Sequence, residues 1–242
     1  MCRVDIVANQ SEIPGIKLRK GTDGPELSMV ASFADMLHAR YSSMGGASRI
    51  LIVYEPLVDS GYPDLVVLRY TQTFMKHWDD TRCKLGNTDL KVLSFLLSNH
   101  ASTEGIAKTL GFSAKAIDAS ISRLAESSLV FKKGNEWKSY KRDRVFGIKE
   151  IVSYEAKMQS ASCVHRQAVM NKRFSSSSYA ILFSKRPTTT TKSLFAKTGI
   201  GLLADGGRSK VIAPQQNDLP KNYVTLRFNE WVGRCLWRGT LV

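Results

Sequence analysis

In the middle of the chain the apolar pattern switches from strand period to helix period and back, and this limits the fold more than anything else in the sequence. Ile50-Leu-Ile-Val-Tyr54 and Leu65–Tyr70 are short apolar runs that read as strands, joined as a hairpin. Helical spacing then takes over at Leu90–Leu97, Thr103–Leu110 and Ala114–Ser127. The strand pattern returns at Ile151–Lys157, Tyr179–Phe183 and Ile200–Ala204. Strands, then helices, then strands again predict an α/β body whose sequence is split by an inserted helical module.

The remaining segments fit around that frame. Pro25 suits an early helix position, Glu26 favours the positive end of the dipole, and Leu27, Val30, Phe33, Met36 and Leu37 recur at helical spacing. Met44-Gly-Gly-Ala-Ser48 ends that helix, and the residues before it read as an arm made basic by Lys17, Arg19 and Lys20, with a short strand near Arg3–Val7. A helix from Ser160 carries His165, Arg166, Gln167, Val169 and Met170. Ser175–Ser178 reads as a polar break, Pro187–Thr191 as a loop and Ser193–Lys197 as a brief helix. Val211-Ile-Ala213 reads as a hairpin partner of Ile200–Ala204, and the tail from Tyr223 carries Trp231, Cys235 and Trp237 at helix-like spacing. The predicted division is a discontinuous body, 1–75 with 146–242, and an insert, 86–142.

A formal net charge of +14 favours a polyanionic partner, by attraction and by release of condensed counterions. Cys2, Cys83, Cys163 and Cys235 lack the spacing of a zinc site or a disulfide framework, which points to a reducing compartment. No secretory leader and no run near the ~18 apolar residues of a membrane span is visible, so a cytoplasmic protein without a membrane partner is expected.

The chemistry concentrates at the end of one strand. Alternation with period two puts Glu155 and Lys157 on one face and turns the small Ala156 side chain to the other. Asp64 stands at the start of the Val/Leu strand. Phosphodiester hydrolysis needs charge neutralisation on phosphate oxygens, an activated water and support for the leaving alkoxide. Two carboxylates can hold Mg²⁺, with Mn²⁺ as a substitute, and the Ala156 backbone carbonyl is placed as an extra ligand.

Pro63-Asp64 before an apolar strand, with Glu155-Ala156-Lys157 at the end of another, resembles the PD-(D/E)XK nuclease family. The preceding helix, the hairpin, and the passage from Arg166–Asn171 to Ser178-Tyr179 are similar too. The resemblance implies a restriction-endonuclease-like αβββαβ core with a mixed central sheet. Asp64 and Glu155 would be metal ligands, Lys157 the catalytic lysine and Gln167 a supporting polar residue. A further acid often comes from the first helix or a preceding strand, where Glu26 and Glu55 compete. The departure from the family is distance: Asp64 and Glu155 stand 91 residues apart, which the insert would explain.

The insert resembles a winged helix-turn-helix domain through Ile106-Ala107, Leu110-Gly111 and the Ile117/Ile121/Leu124 set. Ser113 can cap the third helix. That helix would bring Ser113, Lys115 and Ser120 near DNA, while Lys132, Lys133 and Lys138 on or after the wing meet phosphates. Lys141, Arg142 and Arg144 of the following connector are further phosphate contacts. Together these features predict a Mg²⁺-dependent endonuclease on double-stranded DNA, in restriction, phage defence or transposition. A homodimer and a multi-subunit DNA-processing complex both fit that role. The alternative is a non-catalytic DNA-binding or assembly protein on an inactive nuclease-like scaffold.

Overall fold

The structure, a computed structural model, describes residues 2–8, 15–19, 23–46 and 48–241. Lys20, and Ala47 of the expected helix stop, lie outside the described residues. In chain order the elements begin with β1 (Arg3–Val7), α1 (Pro25–Ser42), β2 (Arg49–Tyr54) and β3 (Leu65–Tyr70). Then come α2 (Asp80–Cys83), α3 (Asn87–Leu96), α4 (Thr103–Leu110), α5 (Ala114–Glu126), β4 (Val130–Lys133), β5 (Glu136–Ser139) and α6 (Arg142–Val145). The chain continues with β6 (Ile148–Lys157), α7 (Ala161–Asn171), β7 (Ser177–Leu182), α8 (Thr189–Thr198), β8 (Gly201–Ala204), β9 (Ser209–Ile212) and α9 (Tyr223–Trp237).

The chain divides into two compact units, Met1–Thr71 with Ile148–Pro220, and Gln72–Gly147 with Lys221–Val242. The expected body, 1–75 with 146–242, therefore loses its tail: α9 belongs to the second unit. The reason is packing. Arg82 and Glu230 form an ion pair at 2.7 Å with both side chains fully buried. Gly233 meets the Trp78 ring so closely that an added Cβ would lie 2.1 Å from it.

The first unit is a mixed α/β body around a seven-stranded sheet of order β1-β2-β3-β6-β7-β8-β9. β2, β3 and β6 run antiparallel to their neighbours in that trio, whereas β6, β7 and β8 are parallel. The strands are apolar on both faces because both are covered. On one face Ile50, Ile52, Val67, Val152, Tyr154 and Ile181 pack against Met29, Val30, Phe33 and Leu37 of α1. On the other, Ala180, Leu182 and Leu202 meet Val164 and Ala168 of α7 and Phe195 of α8.

Two local expectations in this unit change. Ser175–Ser178 is no polar break; all four serines are buried and lead into β7. Two of the hydroxyls are satisfied by α7: Ser175 donates to the Asn171 carbonyl and Ser178 to the Ala168 carbonyl, each at 2.8 Å, whereas Ser177 Oγ is buried without a hydrogen-bond partner. Small polar side chains thus let the end of α7 lie close to the sheet. The expected threonine loop is also helical, since the Thr188 hydroxyl accepts from the Thr191 amide at 3.2 Å and caps an α8 longer than foreseen.

In the second unit, α3, α4 and α5 enclose Leu90, Leu93, Ile106, Ile117, Ile121 and Leu124, and the β4–β5 hairpin follows. Gly111, at φ 71°, supplies the left-handed turn between α4 and α5. Among the described residues no helix is long and apolar enough to cross a membrane.

Candidate active site

The site is assembled by strand register. β3 pairs antiparallel with β6 so that Leu65 opposes Tyr154 and Val66 opposes Ser153. One more step along the ladder sets Asp64 against Glu155. The 91-residue separation in sequence is closed by one hairpin-like pairing. The Ala156 amide donates to Asp64 Oδ2 at 2.7 Å. A strand residue sends its N–H and C=O to the same edge, so the Ala156 carbonyl also faces the Asp64 side.

Glu155 is buried. Its Oε1 accepts a 2.6 Å hydrogen bond from Asn171 Nδ2, while Oε2 is buried with no hydrogen-bond partner. The Ser60 hydroxyl donates to Asn171 Oδ1 at 3.0 Å, which fixes the amide with its nitrogen toward Glu155. Burial, and then the charge of Asp64, push the Glu155 carboxyl up to about 8. Burial also raises Asp64, against the opposing pull of the Ala156 amide and Lys157.

Lys157 Nζ donates to Glu26 Oε2 at 2.7 Å, and the Met158 amide donates to Glu26 Oε1 at 3.3 Å. Partial burial works against the ammonium, but Glu26, with Asp64 and Glu155 nearby, outweighs it and raises the Lys157 pKa. Glu26 pays a desolvation cost of its own, yet the Lys157 and Met158 hydrogen bonds leave its pKa lowered. This corner is therefore an anchored ion pair. Of the two competing acids, Glu26 contacts Lys157. Glu55, buried and at φ 41°, hydrogen-bonds Arg19 instead, and its charge also raises Asp64.

The expectation for Gln167 is corrected. Its amide oxygen accepts from the Cys163 thiol at 3.9 Å, and Asn171 is the α7 residue that reaches Glu155. The two lie one turn apart on the same helix face, and α7 approaches β6 closely at its end. Replacing Asn171 with Ala is expected to cost about 1–3 kcal/mol of stability, since it leaves Glu155 Oε1 buried without its donor. Urea unfolding reads this; unchanged stability would mean that water takes the place of the amide.

Among the described residues no group of three or more His, Cys, Asp and Glu side chains is arranged to hold a metal. The oxygen donors that do converge are two carboxylates and a backbone carbonyl. One carboxylate oxygen is orphaned and buried. That set suits Mg²⁺ or Mn²⁺, which keeps several waters and needs only one or two carboxylates.

A raised carboxyl has a consequence for stability without metal. The folded state holds the Glu155 proton up to about 8, and the unfolded chain releases it near 4.5. Between those values the native state binds more protons, so stability falls as pH rises. In EDTA, Glu155→Gln should flatten this fall by a few kcal/mol, measured by urea unfolding at pH 5 and pH 8. Parallel pH profiles for the two proteins would show that the carboxyl is not held neutral.

The second unit separates its expected DNA contacts. Lys115, Lys132, Lys133 and Lys141 are exposed. Lys132 lies 5.8 Å from the Trp137 ring centroid, Lys138 is 3.9 Å from Glu136, Arg142 lies over Phe146 at 5.9 Å and Arg144 over Tyr140 at 4.0 Å. Ser113 is exposed and caps α5, accepting from the Ala116 amide at 3.3 Å.

Ser120 is a correction. It is fully buried and donates to Asp89 Oδ1 at 2.6 Å, beside Arg123, which holds the same carboxylate at 2.7 Å. Ser120→Ala is expected to cost about 1 kcal/mol of stability, measured by urea unfolding, because the hydroxyl is one of the donors to a buried carboxylate. Full stability in that variant would show that its contact with Asp89 is not needed.

Comparison of the chain with protein-family models, curated proteins and solved structures finds no match.

Proposed function

We propose that this protein is a Mg²⁺-dependent DNA endonuclease of PD-(D/E)XK type. The observation that carries the reading is the facing pair Asp64 and Glu155, brought together by the β3–β6 register across the whole inserted unit. The order α1-β2-β3-β6-α7-β7 supports it, since it reads αβββαβ once the insert is passed over. The three helices and hairpin of the second unit support a winged helix that selects DNA or a partner. The net charge of +14 fits a polyanionic substrate.

Asp64, Glu155 and the Ala156 carbonyl would hold the metal, Mg²⁺ or Mn²⁺, which when bound neutralises phosphate oxygens and lowers the pKa of water. The raised Lys157 pKa keeps that side chain an ammonium at neutral pH. It therefore orients the attacking water or stabilises developing negative charge, and does not take the proton. Glu26 keeps the ammonium in place through its 2.7 Å contact. Asn171 and Ser60 keep Glu155 in a single orientation.

The test is nicking of supercoiled plasmid in Mg²⁺ against EDTA. The second reading, a DNA-binding or assembly protein on an inactive scaffold, is favoured by the small number of side-chain ligands. It would prevail if the wild type never cuts yet binds DNA in a salt-sensitive way.

A further inference from the structure

Phe183 is the most exposed large apolar side chain among the described residues, at 58%. Its place in the sheet gives that exposure meaning. β6 and β7 are parallel with Lys157 beside Leu182, so one further step sets Met158 beside Phe183. The Met158 amide also donates to Glu26, the partner of Lys157. The ring therefore stands next to the catalytic lysine's own anchoring segment.

Phe183 and Met158 line a cavity of about 430 Å³, with Met29 of α1 and with Asp205, Gly206 and Arg208 after β8. Three parallel strands, β6, β7 and β8, end at this cavity. The region beyond the carboxyl ends of such strands is where open α/β sheets hold ligands. An exposed aromatic ring on an apolar wall calls for a flat apolar occupant. Arg208, which makes no ion pair among the described residues, calls for negative charge close by. Ser32 and Asp205 at the rim can hydrogen-bond a polar edge. A nucleobase carrying its phosphate combines all three properties.

We infer that the Phe183 cavity takes an unpaired nucleobase of the substrate strand, on the α1 face of the sheet end and beside the Lys157–Glu26 pair. Bases within a duplex are already stacked on one another and cannot enter, so the substrate class is DNA with a single-stranded, frayed or extruded nucleotide at the site. The location rests on the nuclease reading, but the base site itself can be tested without cleavage.

The experiment measures binding in EDTA of a single-stranded oligonucleotide and of a blunt duplex, each carrying 2-aminopurine, to wild type, Phe183→Ala and Phe183→Trp. Wild type and Phe183→Trp are expected to quench the single-stranded probe. Phe183→Ala should lose that quenching and about tenfold in single-strand affinity, the usual effect of removing one stacking ring, with duplex affinity unchanged. Equal quenching by all three proteins, equal affinity of Phe183→Ala and wild type, or no single-strand binding by wild type would overturn the inference. Phe183-dependent quenching in a protein that never nicks plasmid would keep the base site and sink the nuclease. Nicking with no dependence of binding on Phe183 would do the reverse.

Discussion

Nicking of supercoiled plasmid in Mg²⁺ is expected to fall by about three orders of magnitude for Asp64→Asn, and by a similar factor for Glu155→Gln. Both residues would hold the one metal, and loss of its several kcal/mol of charge stabilisation corresponds to that factor. Lys157→Met should differ in kind. Its ammonium is held by Glu26 and not by the facing carboxylates, so kcat should drop while the Mg²⁺ dependence stays in place. Glu26→Gln should reproduce part of the Lys157 effect, because it removes the ammonium's anchor and leaves the lysine present. Full nicking activity in Asp64→Asn and Lys157→Met together would refute the assignment of the site.

Glu230→Ala is expected to cost the second unit about 3–5 kcal/mol of stability, the usual penalty for leaving a buried charge without its partner. Arg82 donates to both carboxylate oxygens of Glu230, at 2.9 and 2.7 Å, and to the Val145 carbonyl at 2.6 Å. Its guanidinium also lies 4.4 Å from the Trp78 ring centroid. One side chain thus ties α2, the end of α6 and α9 together. Replacing both partners with apolar residues, as in Arg82→Met with Glu230→Leu, should recover much of the loss, since it removes the charge instead of stranding it. Thermal or urea unfolding of the three proteins measures both effects. A loss below about 1 kcal/mol in Glu230→Ala would mean that water reaches Arg82.

The elements of this fold were legible where the signal is local. The period of the apolar residues marks β2, β3, β6 and α3 to α5, and Ser113 and Gly111 mark helix ends by their capping chemistry. The pairing of Asp64 with Glu155 could be read as an expectation because each stands at the end of an apolar strand. Membership of α9 in the second unit was not legible, since nothing in its own residues says which core its apolar face meets. Asn171 was missed for a geometric reason. Gln167 and Asn171 share a helix face at a spacing of four, and only the approach of α7 to β6 decides which one reaches the carboxylate. Ser120 could have been placed correctly: Ile117, Ser120, Ile121 and Leu124 follow the i, i+3, i+4, i+7 pattern of a buried stripe.

The return of α9 to the second unit also governs the order in which a growing chain can finish its parts. The first unit has all of its residues once Pro220 has been made. The second unit begins at Gln72, yet Glu230 and Trp231, both buried in it, are translated only after the whole of the first unit. Arg82 must therefore wait for its counter-charge until that unit has been made. The module that interrupts the sequence starts after the first unit and closes after it, and a nascent chain halted near Pro220 would carry a finished sheet and an open helical core.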